Sequence, residues 1–104
     1  MQIRVSSPGN RLDSGDIDQI EKDLEKIDRR LGDVNDVFAE VRIKDGDPGQ
    51  EYTVTIELDY RRNHLIAKAN HMDMGQAVRT AREEILRQIN DRSRGGHSSF
   101  AKGR

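Results

Sequence analysis

Residues 37–58 read VFAEVRIKDGDPGQEYTVTIEL, and the architecture turns on this stretch. Val37, Ala39, Val41 and Ile43 alternate with Phe38, Glu40, Arg42 and Lys44, the period-two pattern of a strand with one wet face. Tyr52, Val54, Ile56 and Leu58 alternate in the same way with Thr53, Thr55 and Glu57. Between them, Asp45-Gly46-Asp47-Pro48-Gly49-Gln50 is turn chemistry throughout.

Upstream, the period changes to that of a helix. From about Asp16, the residues Ile17, Ile20, Leu24, Ile27 and Leu31 form one apolar stripe. Asp13 or Ser14 is placed to cap its start, and Gly32 fits a left-handed residue closing its end. Before it, Ile3 and Val5 alternate with polar neighbours as a short strand, and Ser7-Pro8-Gly9-Asn10 breaks that strand. Downstream, Asp59 to Asn63 read as a polar link, and His64–Ala69 as a fourth strand with Leu65, Ala67 and Ala69 inward. Asp73 opens a second helix, with Gln76 in a capping-box-like relation. Met74, Ala77, Val78, Ala81, Ile85 and Ile89 supply its stripe, with Leu86 at the edge.

The expected class is α+β: a β-α-β-β-β-α two-layer sandwich whose four-stranded mixed sheet carries both helices on one face. The strand–helix–strand crossover makes the first two strands parallel neighbours, and the others join as hairpins. Residues 1–92 form the domain, and 93–104, without periodicity, form an expected disordered basic tail.

Composition narrows the function. At 104 residues the chain suits one domain, and zero cysteines exclude disulfides and thiolate metal sites. No apolar run approaches the ~20 residues that cross a bilayer, and MQIRVSSPGN has no signal-peptide core, so a cytoplasmic protein without membrane contact is expected. The net charge of −1 hides an asymmetry. Residues 1–59 hold 8 Lys/Arg against 15 Asp/Glu, and residues 60–104 hold 10 against 4.

A catalytic reading finds little support. There is no HExxH, no glycine-rich phosphate loop and no serine elbow. His71 and Asp73 at the strand-to-helix junction are open to an acid–base or hydrolase reading, against which stands a helix cap beside an exposed histidine. No enzyme, cofactor, metal site or small-molecule substrate is expected.

The cations carry more. Lys22, Lys26, Arg29 and Arg30 lie opposite the apolar stripe of the first helix, and Asp18–Lys22 and Glu25–Arg29 have ion-pair spacing. Arg79 and Arg87 share a side of the second helix with Glu83. Arg82 sits at the stripe's margin, where its stem can snorkel, and Arg92 extends the charge. Two such ridges on one face suit phosphate oxygens, read by backbone rather than base, since few aromatics are available for stacking. A solvated face of mixed charge is the plainer account of the same residues. The alternative in another class is a protein-interaction module on the open sheet face around Phe38, Arg42, Thr53 and Thr55.

The strand start MQIRVSS, the segment Glu21-Lys22-Asp23-Leu24-Glu25-Lys26-Ile27, the partners VFAEVRIK and YTVTIEL, and Asp73-Met74…Ala77…Ile85-Leu86-Arg87-Gln88-Ile89 resemble one family. It is the ribosome hibernation-promoting factor / ribosome-associated inhibitor A family, formerly the sigma-54 modulation proteins, and the resemblance spans about residues 1–92. It implies a non-catalytic factor of stationary or stressed bacteria that occupies the mRNA/tRNA channel of the small ribosomal subunit, binds its rRNA and blocks translation. It implies the short form, which lacks the second domain that pairs ribosomes and is monomeric off the ribosome. The family's basic positions fall on Lys22, Lys26 and Arg29, and its Arg-Gln on Arg87-Gln88. The chain departs from the pattern at Asp23, commonly basic, at Gly75, commonly aromatic, and at Arg79 and Arg82, more usually acidic or apolar.

Overall fold

The computed structural model describes residues 1–8, 12–45 and 49–103. Its elements are β1 (Gln2–Ser6), α1 (Ser14–Arg30), β2 (Phe38–Lys44), β3 (Tyr52–Tyr60), β4 (Asn63–His71) and α2 (Met74–Gly103), with α2 side chains described as far as Arg92. The helix α2 runs on to Gly103, past the boundary expected at 92 and into the expected tail 93–104; residues 9–11, 46–48 and 104, and the side chains beyond Arg92, lie outside the described residues.

The sheet has the order β1-β2-β3-β4, with β1 parallel to β2 and both later pairs antiparallel. This is the α+β arrangement that the alternation predicts. Register stacks the inward side chains in rows across the sheet. Ile3, Ala39, Leu58 and Leu65 form one row, Val5, Val41, Ile56 and Ala67 the next, and Ile43, Val54 and Ala69 a third. Ile20, Leu24 and Ile27 of α1 and Ala77, Val78, Ala81, Ile85 and Ile89 of α2 close over these rows. Each fully buried Leu or Ile contributes about 1.5–3 kcal/mol, so this apolar floor dominates the stability. Among the described residues none that is polar or charged is fully buried, and no helix is long and apolar enough to cross a membrane.

Several local expectations change. Asp13, not Ser14, caps α1. Its carboxylate accepts the Asp16 N–H at 2.8 Å while Asp16 accepts the Asp13 N–H at 3.2 Å, a reciprocal capping box. Gly32 does not adopt a left-handed conformation. The helix ends in a tightened turn, with Leu31 at φ −95° and Gly32 N–H on Arg29 C=O, and the positive φ of 59° falls on Asp36. At α2 the capping box of Asp73 and Gln76 does not form. The Asp73 N–H is taken by His71 Nδ1 at 3.0 Å, and Asp73 Oδ1 accepts the Gly75 N–H at 3.3 Å. His71 is thereby a helix-entry acceptor, which is the cap account of the His71–Asp73 pair.

The expected link Asp59–Asn63 is shorter than read. Strand pairing runs on to Tyr60↔Asn63, leaving Arg61-Arg62 as a two-residue hairpin loop. Tyr60 stays inward and buried, so the alternation simply continues one step further than the polar composition suggests.

Candidate nucleic-acid interface

The two helices meet along a seam of ion pairs and hydrogen bonds. Arg82 Nη1 donates to the Asp23 carbonyl at 3.3 Å, and Arg79 Nη1 lies 3.7 Å from Asp23 Oδ2. Next along, Lys26 Nζ meets Glu83 Oε2 at 3.3 Å, and Arg30 Nε donates to Asn90 Oδ1 at 2.8 Å. Partner numbers climb together on both helices, so α1 and α2 run parallel. Their C-terminal ends therefore lie at the same end of the sandwich.

That end also carries the β3–β4 loop. Phe38, at the start of β2, pairs with Asp59 near the end of β3, and Arg92 Nη1 donates to Asn63 Oδ1 at 3.3 Å.

The basic residues expected at a site fall into three groups. Lys26, Arg30, Arg79 and Arg82 come together at the seam. Lys22 and Arg29 stand on the outer crest of α1 and Arg87 on the crest of α2, by helix geometry. Arg29 reaches Glu25 at 3.8 Å, the i,i+4 pair that spacing predicts, whereas the Asp18–Lys22 pair does not form and Lys22 is without a partner among the described residues. Gln88 and Arg92 turn toward the sheet. Gln88 Nε2 donates to the Ile66 carbonyl at 3.0 Å and so ties α2 to the β4 edge.

Electrostatically the face is interleaved. Glu83 accepts from Arg82 at 2.9 and 2.7 Å and from Lys26, and these bonds, Arg82's first, hold its carboxyl below the ordinary glutamate range. Arg87 binds Glu84 through Nε at 3.0 Å and Asp91 through Nη1 at 3.1 Å. The Arg87 and Gln88 bonds likewise lower the pKa of Glu84. The exposed Lys26–Glu83, Arg87–Glu84 and Arg87–Asp91 pairs are worth about 0–1 kcal/mol each, so exchanging such a carboxylate for another anion costs little.

Asp23, Gly75, Arg79 and Arg82, the positions singled out in the sequence as expected departures, converge on one spot. Asp23 is held between the two arginines. A Cβ ideally built on Gly75 stands 3.3 Å from the Arg79 guanidinium, so the absent side chain leaves room for that arginine to lie over the start of α2.

On the opposite face of the sheet, a groove of about 420 Å³ is lined by Pro8, Arg42, Lys44, Thr53, Thr55 and Lys68. Arg42 there is engaged by Glu57 and by Glu40 at 3.9 Å. Among the described residues no group of three or more His, Cys, Asp or Glu is arranged to hold a metal.

Arg61 and Arg62 were not among the expected site residues. The signal available was that alternation persists to Tyr60 and resumes by Leu65, which leaves too few residues for a longer link.

The sigma 54 modulation protein / S30EA ribosomal protein family matches residues 4–94 of the chain. Among solved structures, the Protein Y N-terminal domain of Thermus thermophilus superposes with a TM-score of 0.74 at 20% identity, covering 86% of this chain and 96% of that one. A ribosomal subunit interface protein from Coxiella burnetii superposes with a TM-score of 0.77 at 15% identity, covering 89% and 98%. No curated protein matches the sequence significantly. These superpositions establish the shared fold, and the match across nearly the whole described domain assigns the lineage: the chain belongs to the sigma 54 modulation protein / S30EA ribosomal protein family.

Proposed function

We propose that this protein is a cytoplasmic, ribosome-associated hibernation factor. It lays the α1–α2 face on rRNA phosphates of the small subunit, in the mRNA/tRNA channel, and inhibits translation by occupancy. It acts as a monomer off the ribosome, without catalysis, small-molecule substrate or membrane. Family membership and a structural neighbour described as a ribosomal subunit interface protein support the ribosomal reading. The observation that carries the contact is the parallel packing of α1 and α2, with Lys22, Arg29 and Arg87 on two crests that flank the seam of Lys26, Arg79 and Arg82. Arginine forks and lysine point charges on such a surface grip phosphodiester oxygens without reading bases.

The test is sedimentation with purified small subunits across a salt series. The wild type is expected to co-sediment and to release steeply as salt rises, since each neutralised phosphate frees counterion. Lys26→Glu with Arg87→Glu is expected to abolish binding at moderate salt with an unchanged circular-dichroism spectrum. Full binding by that double variant sinks the mapped face.

A second reading, a protein partner on the open sheet face, is favoured by the groove around Arg42, Thr53 and Thr55. It predicts a complex that survives RNase and is indifferent to salt.

A further inference from the structure

The β3–β4 loop places arginine where backbone geometry asks for something else. Tyr60 and Asn63 pair across it, so the loop has two residues, and Arg61 and Arg62 have φ of 47° and 70°. Positive φ at both positions is the type I′ hairpin turn, which favours Asn-Gly or Gly-Gly because a Cβ is strained there. Both arginines are exposed, and among the described residues neither forms a hydrogen bond or ion pair. The surrounding groups do not neutralise them. Asp59 is taken by His64, Asp91 by Arg87, and Asn63 by Arg92, a third cation on the flank.

We infer that Arg61 and Arg62 form a phosphate clamp for an RNA strand at the end of the sandwich, separate from the helix crests. The feature pointing to it is a strained backbone that carries two exposed, unpaired arginines on successive residues. Strain persists where the surrounding structure over-determines it, and here the paired strands do so. Each fork is built to take two oxygens of a phosphodiester, and two forks on successive residues offer a pair of such contacts. The occupant is an RNA backbone because the loop shares its end of the molecule with the C-terminal arginines of α1, so one strand leaving the helix face meets it. Among the described residues the exposed large hydrophobics are Ile66 and Met72, neither of them in the loop, so an acidic peptide has no apolar anchor in it. The inference builds on the RNA-contact reading above and extends its footprint to a part of the molecule that reading leaves unused.

The decisive variant is Arg61→Asn with Arg62→Gly, which removes both charges while supplying the residues a type I′ turn prefers. Its melting temperature is expected to rise by roughly 5 °C. Its affinity for small subunits is expected to fall roughly 10-fold at about 100 mM salt, with a salt slope shallower by about 2. A more stable protein that binds less well separates contact from folding. Arg61→Lys with Arg62→Lys keeps the charges and is expected to retain the slope.

If the wild type sediments with subunits and the Asn-Gly variant matches it in affinity and slope, the clamp is wrong and the ribosomal reading stands. If the wild type does not sediment, the ribosomal reading fails and the clamp is judged on a 20-base-pair RNA duplex by fluorescence anisotropy. Weaker duplex binding by the variant upholds it. Equal binding, or none by the wild type, overturns it.

Discussion

The helix seam and the hairpin tip hold their arginines under opposite regimes. At the seam, Arg79 and Arg82 are spent on Asp23 and Glu83, and Arg82 retains only 14% side-chain exposure. At the tip, Arg61 and Arg62 are exposed and unpaired on a strained backbone. Charge that is partly buried must be partnered, whereas charge at a two-stranded tip is solvated and needs no partner to fold. A count of basic residues therefore says little about which of them a ligand meets first.

The largest effect should follow from breaking the seam. Asp23 has 11% side-chain exposure, and its Oδ2 is buried without a hydrogen bond, so it depends on the field of both arginines. Arg82→Ala is expected to destabilise the fold by about 2 kcal/mol, read from the urea midpoint. A smaller loss than Arg29→Ala gives would erase the distinction between seam and crest. Next in size, the Lys26–Glu83 pair has half-exposed side chains, and a double-mutant cycle should return a coupling of about 0.5 kcal/mol or less. The lowered pKa of Glu83 gives the sign of its pH dependence: whatever stability the carboxylate supplies is present above the ordinary glutamate value and fades as acid protonates it.

The smallest effect concerns His64, one rung from the tip. Its hydrogen bond with Asp59 raises the imidazole pKa above 6.5, so the pair is complete below that value and loosens as pH rises through the raised one. An NMR titration should place the His64 midpoint above 6.5, and Asp59→Asn should bring it down, with little change in melting temperature. A midpoint unmoved by Asp59→Asn would sever the tip from its neighbouring rung.

Much of the fold was legible because alternation and helical stripes are dictated by burial. Ile20, Leu24 and Ile27 in α1, and the inward rows of β2 and β3, lie where their spacing puts them. Gly32, Gln76 and the length of the Tyr60–Asn63 turn were misread because local chemistry offers rival solutions that only packing decides. His71 outcompeted Gln76 for a backbone N–H, a contest between residues of equal polarity. The basic stripe of α1 was equally plain, but its pairing across the seam was not, since Asp23 and Arg82 are 59 residues apart. Gln88 and Arg92 carry the right chemistry and face the sheet instead, a consequence of where the helix sits over the β4 edge.

The guanidinium of Arg79 over Gly75 constrains how such a sequence can drift. A side chain at position 75 would press on the Arg79 guanidinium, which would have to shift by a few tenths of an ångström to make room. Loss of Arg79 would strip Asp23 of one of its two counter-charges and leave Arg82 to hold it alone. The energetic worth of positions 23, 79 and 82 is thus shared, and a substitution at one of them changes what the other two contribute.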